Sequence, residues 1–134
     1  MQVQQGPGWR FGLDSERSPF PVLVGGEGWA VELSLEEARG LCGGALRLIA
    51  ELERCADQLM PEEQIALELD AGPVWLELDG HPGALALHFV LQPPAGSGNR
   101  GVEGSWPVEA TTALLAVWQQ LPQLAAESSQ STPP

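Results

Sequence analysis

The sequence contains no lysine and no tyrosine. Its six basic residues are all arginine and stand against 18 acids, a formal charge of −12. Nucleic-acid binders gather Lys and Arg on one face. Here Arg39, Arg47 and Arg54 are interleaved with acids in one helical segment, and only Arg10, Arg17 and Arg100 lie elsewhere. A field of this sign repels phosphate, so generic duplex binding is not expected and a protein partner ranks above nucleic acid. Two cysteines, Cys42 and Cys55, make no disulfide framework. Both fall in one predicted helix, about 20 Å apart if it is continuous, which is too far to bridge. They read as free, buried or half-buried thiols in a reducing compartment. No apolar run approaches the roughly 20 residues of a membrane span. The start, Met1-Gln2-Val3-Gln4-Gln5, is neither basic nor apolar and does not read as a signal peptide. The expectation is a soluble cytoplasmic protein without a membrane partner.

What is present is enough for a core. Hydrophobic residues make up 43% of 134 residues, which rules out wholesale disorder and suits one domain. We expect that domain over residues 1–124, with a disordered polar tail at 125–134.

The periodicity changes along the chain. Trp9, Phe11 and Leu13 alternate with Arg10 and Gly12, which is strand spacing. Pro21-Val22-Leu23-Val24 makes a second strand and Trp29-Ala30-Val31-Glu32-Leu33 a third. Ser34-Leu35-Glu36-Glu37 is a capping box, followed by apolar residues at helical spacing up to Pro61. Gly40, Gly43 and Gly44 interrupt that helix. They mark a smooth packing patch, a kink, or only compositional bias.

Three strands follow, in which Ile65-Leu67-Leu69, Val74-Leu76-Leu78 and Leu85-Leu87-Phe89-Leu91 share an apolar face. Pro93 to Asn99 reads as a loop and Arg100 to Ser105 as a short edge strand. A last helix carries Leu114, Leu115, Trp118 and Leu121 and stops near Pro122. Glu27-Gly28-Trp29 and Glu103-Gly104-Ser105-Trp106 echo each other ahead of the two helices. The fold class is therefore α+β, with two pseudo-repeated units of antiparallel β-meander followed by an α-helix, about residues 6–61 and 62–122.

The ordered landmarks Gly8-Trp9-Arg10, Gly25-Gly26, Trp29-Ala30, Glu32-Leu33-Ser34, Glu62-Glu63-Gln64-Ile65 and Glu103-Gly104-Ser105-Trp106 resemble a small cyanobacterial family, domain of unknown function 1818. The resemblance would cover roughly residues 6–122. It implies the Whirly-like fold of single-stranded-DNA-binding transcriptional regulators, in which units of four strands and a helix repeat. Only three strands are legible ahead of the first helix here. The resemblance carries no catalytic or binding residues with it.

If the hairpins pair with Leu69 opposite Val74 and Leu78 opposite Leu85, then Glu68, Trp75 and His88 form one cross-strand row on the outward face. This is the candidate recognition face, with Trp75 able to stack on a partner. The alternative is that Trp75 and His88 are covered, either by the helix bearing Trp118 or by a second subunit. Glu68, Asp70, Glu77 and Asp79 read as a solvated acidic edge. His81 and His88, seven residues apart and without a nearby cysteine, make no metal signature. No nucleophile elbow, phosphate loop or dinucleotide fingerprint is present. No catalytic residue, metal or cofactor is expected, and the chain reads as a non-enzymatic binding or regulatory module. Two rivals remain open. One is single-stranded DNA or RNA binding through Trp75, Trp29 and the lone arginines. The other is a small enzyme using His88 with Glu68. The five tryptophans also leave a homo-oligomer open, since any that are exposed favour association.

Overall fold

The computed structural model describes residues 2–92 and 101–125. Four strands come first: β1 (Gln2–Gly6), β2 (Trp9–Leu13), β3 (Val22–Gly26) and β4 (Trp29–Leu33). A helical segment follows, made of α1 (Leu35–Ala38), a π-helical turn (Arg39–Gly43), α2 (Gly44–Arg54) and a 3₁₀ turn (Ala56–Gln58). Four more strands are β5 (Ile65–Ala71), β6 (Val74–His81), β7 (Ala84–Leu91) and β8 (Glu103–Trp106). The chain then forms α3 (Val108–Gln119) and a short α4 (Pro122–Ala125). Each set of four strands is an antiparallel sheet in sequential order, β1-β2-β3-β4 and β5-β6-β7-β8. The expected α+β fold of two meander-plus-helix units is what the chain adopts.

The hairpins turn tightly because glycine takes the positive φ that an L side chain resists. Gly8 sits at φ 80° before Trp9 and Gly28 at φ 78° before Trp29. Each tryptophan then lies over the glycine paired with it across the hairpin, Trp9 over Gly6 and Trp29 over Gly26. A Cβ on either glycine would meet the indole nitrogen, at 2.6 Å for Gly6 and 2.5 Å for Gly26.

The inner faces of the two sheets and one side of each helix form the core. Phe11, Val24 and Leu33 come from the first sheet, Leu76, Leu87 and Phe89 from the second, and Leu41, Leu48 and Leu114 from the helices. Helix α2 lies over β5 and β6, while α3 lies over β7. An aromatic chain ties the two units together. Trp106 stacks on Phe89 at 5.4 Å, meets Trp29 at 5.2 Å and meets Trp118 edge-on at 6.1 Å. Its indole Nε1 donates to the carbonyl oxygen of Gly25 in β3 at 2.8 Å, across the join between the sheets.

Several expectations are corrected. Strand β1 lies ahead of the three expected strands. Its residues Gln2–Gln5 are exposed, so no apolar alternation announces it. The helix after Ser34 runs unbroken from Leu35 to Arg54 and ends short of Pro61, and its glycine-rich stretch widens into the π-helical turn. Its glycines allow close packing: a Cβ on Gly40 would come within 3.0 Å of the Ala71 carbonyl oxygen, and one on Gly44 within 3.0 Å of Leu76. Cys42 is buried in that turn, but Cys55 is exposed beyond α2. The last long helix does stop near Pro122, α3 ending at Gln119, but Pro122 then opens the unexpected α4, in which Leu124 is buried. The expected loop at 93–99, Arg100 and all but the first residue of the expected tail lie outside the described residues.

Candidate functional site

The second sheet has two unlike faces because its strands alternate. Val74, Leu76 and Leu78 of β6 and Leu85, Leu87 and Phe89 of β7 point into the core beneath the helices. The residues between them point away. With α2 and α3 on the inner side, neither helix lies over the outer face.

Register decides which side chains meet there. Glu68 pairs with Glu77, which pairs with His88, which pairs with Ser105. The next row runs Asp70, Trp75, Val90, Glu103. The register is thus two residues away from the expected one: Leu69 faces Leu76, not Val74, and Leu78 faces Leu87, not Leu85. The two-residue loops Gly72-Pro73 and Pro82-Gly83, with Gly72 at φ 68° and Gly83 at φ 82°, set it. A shift of two keeps every side chain on its face. The outward set survives, and the straight row of Glu68, Trp75 and His88 becomes a zigzag, with Glu68 and His88 in one row and Trp75 between them in the next.

The zigzag still brings both neighbours to Trp75. Trp75 Nε1 donates to Glu68 Oε1 at 3.2 Å, which fixes the indole toward β5. The His88 ring meets the Trp75 ring edge-on at 5.4 Å. On its far side His88 Nε2 lies 2.7 Å from Glu103 Oε2, with side-chain exposures of 33% and 68%. Both partners are open enough to water for that pair to contribute little to stability. Trp75 and His88 are half-buried and Trp118 does not cover them. Trp118 is fully buried, packed on Phe11 and Trp106 in the core.

Glu103 joins this face without having been anticipated. Pairing of β6 with β7 places Val90 beside Trp75, and pairing of β8 with β7 places Glu103 beside Val90; the signal for Glu103 was its alternation with Ser105 in a strand only four residues long. The face carries Glu68, Asp70, Glu77, Asp79 and Glu103, and strands β5 to β8 contain no arginine. Among the described residues, the arginines sit elsewhere. Arg17 pairs with Glu32 at 2.6 Å, and exposed Arg10 lies in β2 on the other sheet. Trp29 is packed against Phe89 and Trp106 and belongs to the core layer. Among the described residues, no group of three or more His, Cys, Asp or Glu is placed to hold a metal ion. No helix among them is long and apolar enough to cross a membrane.

Comparison with known proteins agrees with this architecture. None of the curated proteins compared with the chain matches it. A crystal structure of a protein with unknown function from the DUF155 family of Prochlorococcus sp. NATL2A superimposes with a TM-score of 0.81. Its sequence is 35% identical, and the match covers 90% of this chain and 98% of that one. The model of the family described as domain of unknown function (DUF1818) matches residues 4–121. With nearly the whole fold inside that match, the chain belongs to the DUF1818 family.

Proposed function

We propose that the chain is a non-enzymatic binding module, and that the outer face of its second sheet docks a basic segment of a protein partner. One observation carries this reading. A half-buried tryptophan is held in place by hydrogen bonding and lies among five carboxylates on strands that contain no arginine. A guanidinium or ammonium group laid on that indole gains a cation–π contact and donates charge-assisted hydrogen bonds to the carboxylates. The formal charge of −12 draws such a partner in over longer range.

The scaffold reading is that of single-stranded-DNA-binding regulators. Two successive units of four strands and a helix support it. A scaffold does not carry an activity with it. For DNA or RNA, a base stacked on Trp75 would bring its phosphates toward Glu68, Asp70 and Glu77. Trp29 is spent in the core and Arg17 on Glu32. For catalysis, His88 faces Glu103 while Glu68 accepts from Trp75, so the proposed pair of His88 with Glu68 does not meet.

The test is fluorescence anisotropy of a labelled arginine-rich peptide against the whole chain at low and moderate salt. Trp75→Ala, and Glu68→Gln with Glu77→Gln, should each weaken binding about tenfold, roughly 1.4 kcal/mol. Glu36→Gln with Glu62→Gln, which removes the same charge elsewhere, should change it less than about threefold. Equal losses from both double variants would mean unspecific attraction and overturn the assignment to this face. Tighter binding of a labelled single-stranded oligonucleotide than of the peptide would favour the nucleic-acid reading.

A further inference from the structure

On the opposite side of the second sheet, α2 and α3 do not close on each other. Between them lies a half-open cavity of about 500 Å³, within the range of small-molecule sites. Ile49, Leu52 and Glu53 line it from α2, and Leu115, Ala116 and Gln119 line it from α3. On each helix the three fall on one face, at spacings of three and four residues. The floor is Leu85, 5% exposed, and the Pro82-Gly83 turn closes one end.

The polar groups of this lining divide into two sets. The Thr111 hydroxyl is already engaged: it accepts from Leu87 N and donates to the Trp106 carbonyl oxygen, both at 3.1 Å. The Thr112 hydroxyl donates to the Val108 carbonyl oxygen at 3.0 Å. The floor therefore asks little of water or ligand. Glu53 and Gln119 remain as polar lining groups on the two walls, and among the described lining residues Glu53 is the only charged one. The rest is apolar, with Ile49, Leu52 and Leu115 left half-buried.

We infer that this groove binds a small amphiphilic cation, with an apolar body between Leu52 and Leu115 over Leu85 and an amine or quaternary ammonium head beside Glu53. The charge complementarity excludes the corresponding anion. A carboxylate or sulfate head would meet Glu53 on a chain that already carries −12. The chain's own last residues, Ala126 to Pro134, do not suit the groove, because they include no large apolar side chain to fill it.

Calorimetric titration of the whole chain with dodecyltrimethylammonium and with dodecanoate, both kept below micelle formation, tests this. The cation should bind at one saturable site, about tenfold or more tighter than the anion of equal chain length. Glu53→Gln should bring the two within about threefold of each other. Ala116→Trp, at an exposed position, should fill the groove and weaken both at least about tenfold while leaving the melting temperature unchanged. Trp75→Ala should alter neither, which separates this site from the outer face. Equal binding of both amphiphiles by the unmodified chain would overturn the inference. So would cation binding that survives Ala116→Trp, or a dimer that forms through the groove and excludes both probes.

Discussion

Trp106 and Trp118 occupy the same core, 1% and 0% exposed, and differ in the fate of their indole N–H groups. The first donates to Gly25 O, while the second has no hydrogen-bond partner among the described residues. Substitution by phenylalanine removes similar volume in both cases. In Trp106→Phe it also removes a buried hydrogen bond that joins the two sheets, and in Trp118→Phe it removes a donor with no partner among the described residues. Trp106→Phe should therefore cost about 1–3 kcal/mol more than Trp118→Phe in urea unfolding. Equal costs would show that the bond to Gly25 contributes nothing net. The two thiols give a second contrast. Burial raises the Cys42 thiol well above its ordinary value of 9.0, whereas Cys55 is exposed at the end of α2. One thiol should react with a disulfide reagent in the folded chain and both in denaturant. Because the folded value is raised, the stability linked to Cys42 is complete below the unfolded value, and is lost as pH climbs above about 9 toward the folded one. Cys42→Ala should flatten that alkaline loss. An unchanged profile would mean that Cys42 is not its source.

At the scale of elements, the π-helical turn is where the helix gives up regular geometry to approach β5 and β6. Gly40 faces the backbone oxygen of Ala71 at the end of β5, which cannot swing aside. Gly44 faces the methyl ends of Leu76 and Leu69, which can. Alanine would add about 1 kcal/mol of helix propensity at either site. Gly44→Ala should come out near neutral, and Gly40→Ala should destabilise by about 1–3 kcal/mol as the helix is pushed off the sheet. Thermal melts of the two variants decide it, and a stabilising Gly40→Ala would contradict this account of the turn. Much at this scale was legible in advance. The capping box is formed, with Ser34 Oγ accepting from Glu37 N at 3.1 Å and Glu37 Oε1 accepting from Ser34 N at 2.9 Å. Strand alternation placed Glu68, Trp75 and His88 on one face because parity is local. Register was not legible, since two-residue and longer loops leave the same alternation. Strand β1 was hidden because an exposed edge strand needs no apolar face. Its pairing with β2 supplies what its own side chains do not announce.

For the whole molecule, charge and layering act together. The second sheet's helices lie on its inner side, and three of the six arginines, Arg39, Arg47 and Arg54, fall in the π-helical turn and α2. The outer face of the second sheet is left with carboxylates around one aromatic ring. Long-range attraction toward cations and repulsion of phosphate then have the same source, and both weaken with salt. The most direct test of this is the indole N–H resonance of Trp75 in a two-dimensional nitrogen–proton spectrum, assigned by its loss in Trp75→Phe. The spectrum is followed at low salt during titration with an arginine-rich peptide and, separately, with a single-stranded oligonucleotide. The account predicts a saturable shift of the Trp75 resonance with the peptide, little change in the buried indoles of Trp106 and Trp118, and no shift with the oligonucleotide. A Trp75 shift driven by the oligonucleotide, with none from the peptide, would contradict it.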